Sequence, residues 1–229
     1  MRPQGVLFDF DGVIVNSLLS HLKAWDTAAF VLFGQEIDKE ILASLSGRST
    51  VAIARDLAAH FGAPSRANEL ADLKRHLLVE SGGTVPLIAG VRECLSHLMT
   101  EEIPYGIASN APRDYILHLL SAHGLHVPVV LGIEDAGHPK PSPELYLLCA
   151  KRLMIGVADH GRTLVFEDSV HGLTAGVRAG MVTIGVTTDT PKEPLIKAGA
   201  HAACANLAEA LSNGWFTQIP TKTDPRPLR

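Results

Sequence analysis

The sequence predicts an α/β fold, a doubly wound parallel sheet with an inserted helical cap domain. Two observations predict it: short apolar runs recur along the chain, and one long stretch after the first run has helical patterning only. Apolar runs that do not alternate with polar residues indicate strands buried on both faces, as in a parallel sheet covered by helices. The runs are 5–10, 105–110, 127–132, 163–168 and 182–186.

Two segments between the later runs have the apolar spacing of helices. They are 112–124 (PRDYILHLLSAHG) and 142–154 (SPELYLLCAKRLM). Pro112 and Pro143 stand near their starts, and proline suits the first turn of a helix because no N–H is needed there. Strand runs that alternate with such helices predict the doubly wound architecture.

The stretch 17–85 interrupts this alternation. It contains several amphipathic helical segments and no convincing strand run. We therefore predict a helical cap over 17–85, inserted into an α/β core formed by 1–16 and 86–219. Gly12 and the segment 81–86 are the predicted hinges, because glycine absorbs backbone rotation easily. The proline-rich, charged segment 220–229 is predicted to be a disordered tail.

Composition excludes several classes of function. The chain has 229 residues, 46% hydrophobic and 19% charged, with a formal net charge of −4, so it has no general attraction for nucleic acid or for an anionic membrane. Three scattered cysteines without a C-x-x-C spacing indicate core residues in a reducing compartment. No uncharged apolar run reaches the length of about 18 that spans a bilayer, so we expect a cytoplasmic protein. The oligomeric state stays open, and a monomer is compatible with the sequence.

Polar residues follow the apolar runs at the point where each predicted strand ends. In open α/β sheets ligands bind at the carboxyl ends of the strands, so these residues are predicted to share one site. They are Asp9, Asp11, Ser109, Asn110, Glu167 and Asp168, with Lys140 in a proline-bounded loop after the third run.

This residue set suits phosphoryl chemistry with a hard cation. Sites that are rich in oxygen and lack cysteine suit Mg²⁺, with Asp9 and Asp168 as the natural ligands. Ser109, Asn110 and Lys140 are candidate donors to a phosphate group.

The two aspartates of the first run have different candidate roles. The Asp9 carboxylate is the candidate nucleophile, because a carboxylate can attack phosphorus and form an aspartyl phosphate. Asp11 would act as general acid and then general base.

Four motifs in order, DFDGVIVNS, IASN, KPSPE and FEDSVHGLTAGVRAGM, resemble the signature of the haloacid dehalogenase superfamily of phosphatases. The helical insert resembles the cap of its β-phosphoglucomutase-like branch, and the resemblance implies a Rossmann-like core. Dehalogenating members lack an acid at the position of Asp11, and phosphonate-cleaving members carry a small residue there. The resemblance therefore points to phosphate esters.

The resemblance also implies a role for each motif residue. Asp9 would be the nucleophile, Asp11 the acid/base, and Ser109 and Lys140 would hold the transferring phosphoryl group.

The same resemblance implies a magnesium site. Asp9 and Asp168 would bind Mg²⁺ directly, Glu167 directly or through water, and Asp11 through its backbone carbonyl.

Cap residues are candidates for substrate recognition. His21 and Trp25 lie one helical turn apart on one face, at positions that resemble substrate-facing residues of the β-phosphoglucomutase-like branch. Arg48 and Ser49 fall where a cap loop of that branch contacts substrate, whereas Lys74 is expected on a solvated helix face. The alternatives are an interface histidine, a core tryptophan and a solvated cap surface.

The sequence thus predicts a Mg²⁺-dependent phosphatase that acts on a small phosphorylated metabolite, such as a sugar or polyol phosphate. One alternative is a phosphomutase of the β-phosphoglucomutase kind. Another is a catalytically idle binding or regulatory protein on the same fold, although such a protein gains nothing from mutually repelling carboxylates.

Overall fold

The structure is a computed structural model and describes residues 1–43, 50–80 and 85–221. Its internal contacts divide the chain into two compact units, Met1–Asn16 with Pro86–Arg229, and Ser17–Val85. We call these units the core and the cap. Most of the predicted tail and residues 81–84 of the predicted second hinge lie outside the described residues.

The core is built on a parallel sheet of six strands in the order β3-β2-β1-β4-β5-β6, which confirms the predicted fold class. The strands are β1 (Gly5–Phe8), β2 (Tyr105–Ala108), β3 (Val129–Leu131), β4 (Thr163–Glu167), β5 (Val182–Val186) and β6 (Ala202–Cys204). Each of the five predicted runs contains a strand. Strand β6 was not predicted; it is short and lies at the sheet edge, where its two alanines are half-buried and Cys204 is buried.

The central strand β1 is buried on both faces, as its continuous apolar run predicts. Leu7 belongs to a core cluster on one face with Val165 of β4 and residues of a covering helix. Phe8 points to the opposite face, where its ring stacks on Phe166 at 5.5 Å between centroids, and Phe166 stacks on Phe216 at 5.2 Å. Burial on both sides leaves the strand ends as the place where polar groups reach a ligand.

Helices of the core cover both faces of the sheet. They are α5 (Val91–Thr100), α6 (Arg113–Ala122), α7 (Glu144–Arg152), α8 (Val170–Arg178), α9 (Lys192–Lys197) and α10 (Leu207–Ser212), with 3₁₀ turns at Ile133–Asp135 and Val157–Arg162. The predicted helices 112–124 and 142–154 are α6 and α7. Pro112 and Pro143 are the N-cap residues that precede their first helical residues.

Helices alone form the described part of the cap. They are α1 (Leu18–Phe33), α2 (Lys39–Ala43), α3 (Thr50–His60) and α4 (Ala67–Glu80), with a 3₁₀ turn at Pro64–Arg66. Trp25, Leu57 and Leu70 lie in the apolar cluster that holds these helices together. Within the described ranges no helix is long and apolar enough to span a bilayer. The cysteines Cys94, Cys149 and Cys204 are all buried, as predicted.

Gly90 gives a direct test of the packing around α5. Its φ is +86°, and a Cβ there would lie 2.1 Å from the backbone nitrogen of Ala208. Gly90→Ala is therefore expected to lower the free energy of unfolding by roughly 3 kcal/mol, from backbone strain and overlap together. Gly124→Ala is the matched control, because Gly124 also has a positive φ but open space around it, and it should lose only about 1 kcal/mol. Equal losses in urea unfolding would contradict the packing argument.

Candidate active site

The candidate site lies at the carboxyl edge of the sheet, where three neighbouring strands end in polar residues. Asp9 follows β1 and Ser109 follows β2, and β1 pairs with β2 in parallel. Glu167 is the last residue of β4, the other neighbour of β1, and Asp168 follows it. The N–H of Asp9 donates to the Phe166 carbonyl at 3.0 Å, so the sheet fixes the backbone of the first aspartate.

Strand β1 ends two residues before the predicted position. The chain turns after Phe8, and the Phe10 carbonyl accepts the N–H groups of Val13, Ile14 and Val15. Asp11 therefore lies on this turn rather than on a strand. The phenol of Tyr115 lies 3.4 Å from Oδ1 of Asp11, so a helix of the core helps to orient that carboxyl group.

Lys140 occupies the centre of the acidic site. Its ammonium Nζ donates to Oδ1 of Asp9 at 2.8 Å, to Oε1 of Glu167 at 2.6 Å and to the hydroxyl oxygen of Tyr146 at 2.8 Å. The Lys140 side chain is only 3% exposed. A buried cation with two carboxylate partners is compensated, whereas either partner without it would be a buried uncompensated charge.

Glu167 is fully buried, and both of its carboxylate oxygens have donors. Oε1 accepts from Lys140 and from the Tyr146 hydroxyl at 2.7 Å. Oε2 accepts from the hydroxyl of Ser169 at 3.0 Å. A Cβ on Gly172 would lie 1.7 Å from Oε1, so only glycine leaves room for the carboxylate against α8.

The loop that carries Lys140 is fastened at several points. Oδ1 of Asn110 accepts the backbone N–H of Lys140 at 2.9 Å, and its amide nitrogen lies 3.5 Å from the Lys140 carbonyl oxygen. Glu144 accepts the N–H groups of Gly137 and His138, each at 3.0 Å. The predicted phosphate donor Asn110 thus contacts the backbone of Lys140.

Asp168 packs closely against the backbone of the turn after β1. A Cβ on Gly12 would lie 2.1 Å from Oδ2 of Asp168, and Gly12 has φ +75°. The Thr188 hydroxyl donates to the Gly12 carbonyl at 2.6 Å. Gly12, predicted as a hinge, therefore also provides the space that Asp168 occupies.

Burial and mutual repulsion raise the pKa values of two acids of the site, Asp9 and Asp168. Burial raises the pKa of Asp9 to about 7; Lys140 opposes this shift, whereas Glu167 and Asp11 add to it. Burial, followed by the charges of Glu167 and Asp9, raises the pKa of Asp168 well above its ordinary value. For Lys140, burial acts to lower the pKa, but attraction to Asp9 and Glu167 outweighs it and the pKa is raised.

The acidic residues have the composition of a hard-cation site. One carboxylate oxygen from each of Asp9, Glu167 and Asp168 lies within 4.8 Å of the others. Carboxylates alone suit Mg²⁺ or Ca²⁺ rather than a soft metal. A cation would also relieve the repulsion that raises the pKa values of Asp9 and Asp168. The residues therefore fit a divalent cation, and Asp9 and Asp168 are better placed to bind it than Glu167, whose oxygens already accept hydrogen bonds.

Ser109 is buried at the end of β2. Its Oγ accepts the N–H of Ala111 at 3.2 Å, and its hydroxyl proton can therefore be donated to a ligand.

Two of the cap candidates, His21 and Trp25, contact Lys74 within the cap. His21 Nδ1 lies 2.9 Å from Nζ of Lys74, and Nζ lies 5.4 Å from the centroid of the Trp25 ring. Because an ammonium only donates, Nδ1 accepts and the ring proton is on Nε2. Trp25 packs in the cap core. Arg48 and Ser49 lie outside the described residues.

Two residues with buried polar contacts in these regions were not among the predicted site residues. Tyr146 has the spacing of a core residue of α7, which it is, but its hydroxyl also reaches Lys140 and Glu167. Lys74 was expected on the solvated face of α4. That expectation was wrong: Lys74 is 2% exposed, because it packs against Trp25 and His21.

The chain has relatives among known proteins. A family model described as haloacid dehalogenase-like hydrolase matches residues 6–186. The chain is 29% identical to validoxylamine A 7'-phosphate phosphatase of Streptomyces hygroscopicus subsp. limoneus, over 84% of this chain and 89% of that protein. It is 28% identical to fructose-1-phosphate phosphatase of Escherichia coli, over 81% of this chain and 97% of that protein.

A solved structure shows the same fold. β-Phosphoglucomutase from Clostridium difficile superposes with a TM-score of 0.75 at 20% identity, covering 94% of this chain and 97% of that chain.

The raised acid pKa values predict how stability depends on pH when no metal is bound. An acid whose pKa rises on folding binds its proton more tightly in the folded state, so stability falls as pH rises from the unfolded value of 3.8 through about 7. We expect the free energy of unfolding in EDTA to fall by about 2 kcal/mol between pH 5 and pH 7.5. Denaturant unfolding at each pH measures it.

Asp168→Asn is the informative comparison for this prediction. The variant removes one member of the repelling set, so it should show a smaller decrease between pH 5 and pH 7.5. A pH-independent stability in both proteins would show that the folded state does not raise these pKa values.

Proposed function

Because the chain belongs to the haloacid dehalogenase-like hydrolase family, we propose that it is a Mg²⁺-dependent phosphatase that hydrolyses a small sugar or polyol phosphate through an aspartyl phosphate on Asp9. It is a phosphoric monoester hydrolase, the class to which its phosphatase relatives belong. The observation that carries the proposal is the position of the Asp9 carboxylate at the edge of the sheet. It accepts a hydrogen bond from the buried Lys140 and lies beside Asp168.

The ionisation of Asp9 decides whether it can act as the proposed nucleophile. It must be ionised to attack phosphorus, and its raised pKa shows that burial works against ionisation. Lys140 holds Oδ1 of Asp9 at 2.8 Å, which favours the charged form and fixes the orientation of the carboxylate. A second cation beside Asp9 would favour the ionised carboxylate further.

Asp9, Asp168 and the backbone carbonyl of Asp11 are proposed to hold Mg²⁺. When bound, Mg²⁺ would neutralise the acidic site and polarise a phosphoryl oxygen of the substrate. Glu167 is proposed to contribute through water, because Lys140, Tyr146 and Ser169 already donate to its two oxygens.

Asp11 is proposed to move the protons. As Asp9 attacks phosphorus, the bond from phosphorus to the ester oxygen breaks, and Asp11 donates a proton to that leaving oxygen. The Asp11 carboxylate then accepts a proton from the water that attacks the aspartyl phosphate, which restores both aspartates. The contact of Asp11 with the Tyr115 phenol, on the turn after β1, supports this role because it orients the carboxyl group.

Ser109 and Lys140 are proposed to bind the phosphoryl group. The Oγ of Ser109 accepts the Ala111 N–H, which leaves its hydroxyl proton for a ligand, and the Lys140 ammonium supplies a positive charge. Asn110 stays a predicted donor to phosphate, with a contact to the backbone of Lys140 that also orders the loop.

The proposed substrate class follows from the relatives and from the chemistry of the cap. One relative is named for fructose 1-phosphate, which supports a sugar phosphate here. His21 with Nε2–H as donor, Trp25, Arg48 and Ser49 stay the predicted contacts to the rest of the substrate. Substrate choice is assigned to the cap, because the core groups recognise only the phosphoryl group that all substrates share.

Asp9→Asn tests the proposed nucleophile. The side-chain amide of the variant cannot attack phosphorus to form an acyl phosphate. Mg²⁺-dependent turnover of a phosphate-ester panel should therefore fall by more than about 10³-fold. The variant should still fold, because it removes a charge from a repelling set. Asp72→Asn, at an exposed position on α4, is the matched control and should keep full turnover. Retained activity in Asp9→Asn would refute the assignment.

Product analysis separates hydrolysis from phosphoryl transfer. With β-glucose 1-phosphate or another accepted substrate, we expect inorganic phosphate to appear in equal amount to the freed alcohol, as measured by phosphate release and sugar chromatography. Conversion of β-glucose 1-phosphate into glucose 6-phosphate would instead identify a mutase. Absence of turnover, together with absence of thermal stabilisation by Mg²⁺ and a phosphate mimic, would favour the idle binding protein.

A further inference from the structure

The phenol of Tyr146 is a polar group with a defined place in the buried site. Tyr146 is 0% exposed, and its ring packs in the apolar cluster between α7 and the sheet. Its hydroxyl oxygen accepts from Nζ of Lys140 at 2.8 Å, and its proton is donated to Oε1 of Glu167 at 2.7 Å. Nζ also lies 4.5 Å from the centroid of the ring.

The number of protons on Lys140 matches the number of acceptors that surround it. An ammonium group has three N–H donors, and Nζ has acceptors at Asp9, Glu167 and Tyr146. Two of these acceptors come from rigid elements, since Glu167 ends β4 and Tyr146 lies in α7. The third acceptor, Asp9, is the proposed reacting carboxylate.

We propose that Tyr146 is a positioning residue that, with Glu167, anchors the Lys140 ammonium so that its remaining N–H points at the reacting group. The proposal rests on the proposed function, because it assigns Lys140 to the transferring phosphoryl group. Two anchored N–H bonds fix the direction of the third, so a phosphoryl oxygen that approaches Asp9 along this direction can share that N–H without movement of the ammonium. A lysine held by one partner would lack this constraint, because its four-carbon stem is flexible.

The hydrogen-bond directions explain why a hydroxyl is needed at this position. The phenol oxygen accepts from Lys140 while its proton satisfies Glu167, so one group serves both charged neighbours. Phenylalanine would fill the same space but would leave one Lys140 N–H without its acceptor and remove one donor from Glu167. The ammonium would then be free to shift toward Glu167 and away from the phosphoryl position.

Tyr146→Phe tests this role, with Tyr105→Phe as the matched control. Tyr105 is also a buried tyrosine of the core, but it begins β2 at the opposite end of the strand from Ser109, and its hydroxyl lies 3.5 Å from the His126 carbonyl oxygen. We expect Tyr146→Phe to lower kcat about tenfold, to leave KM within about twofold and to weaken inhibition by orthovanadate about tenfold. Tyr105→Phe should change none of these.

A double-mutant cycle distinguishes positioning of Lys140 from a general effect on the fold. In a Lys140→Met background, Tyr146→Phe should weaken the binding of orthovanadate, measured with Mg²⁺ by calorimetry, by less than about twofold, because the group that it positions is gone. The same factor in both backgrounds would overturn the proposal. Equal kinetics for Tyr146→Phe and Tyr105→Phe would also overturn it, whereas absence of turnover in the unsubstituted protein would overturn the proposed function itself.

Discussion

The site depends on the ion pairs that the buried Lys140 ammonium forms with Asp9 and Glu167. Asp9 and Glu167 are both removed from water, and each would carry a large desolvation penalty if its charge had no partner. Lys140 contacts both carboxylates at 2.8 and 2.6 Å. The loop that carries Lys140 is in turn fixed by Asn110 and Glu144, so the position of the cation is set by backbone contacts as well as by its own side chain.

One lysine does not neutralise the whole acidic site. Asp168 lies in the same cluster of carboxylate oxygens, and its pKa stays well above the ordinary value because of burial and the neighbouring acids. The backbone around these acids is closely packed, and glycines provide the space that the carboxylates occupy: Gly12 for Asp168 and Gly172 for Glu167. Without a cation these buried, repelling acids lower the stability of the fold, and a bound divalent cation would offset that cost, which is the usual relation between stability and a preorganised site.

The sequence predicted that the candidate residues of the core would meet at one edge of the sheet, because they stand where buried strands end. Asp9, Ser109 and Asp168 each follow a strand directly, and the parallel pairing then brings them to one edge. Tyr146 and Lys74 could not be recognised in this way. In an amphipathic helix, an aromatic residue is expected in the core and a lysine on the surface. Only tertiary contacts show that the Tyr146 hydroxyl and the Lys74 ammonium have buried partners. The early end of β1 was also missed, because apolar Phe10 continues the run although the chain has already turned.

The core residues alone do not distinguish a phosphatase from a phosphomutase. Both reactions require a carboxylate that accepts the phosphoryl group, an acid/base and a cation that binds phosphate, and Asp9, Asp11 and Lys140 are proposed for these roles in either case. The difference lies in which oxygen attacks the aspartyl phosphate, that of water or that of a sugar hydroxyl. A mutase must hold a bisphosphate intermediate against hydrolysis, which requires groups beyond those that contact the reacting phosphorus. The decision between water and sugar therefore belongs to residues outside this core set, and the residues proposed for substrate recognition in this chain are those of the cap.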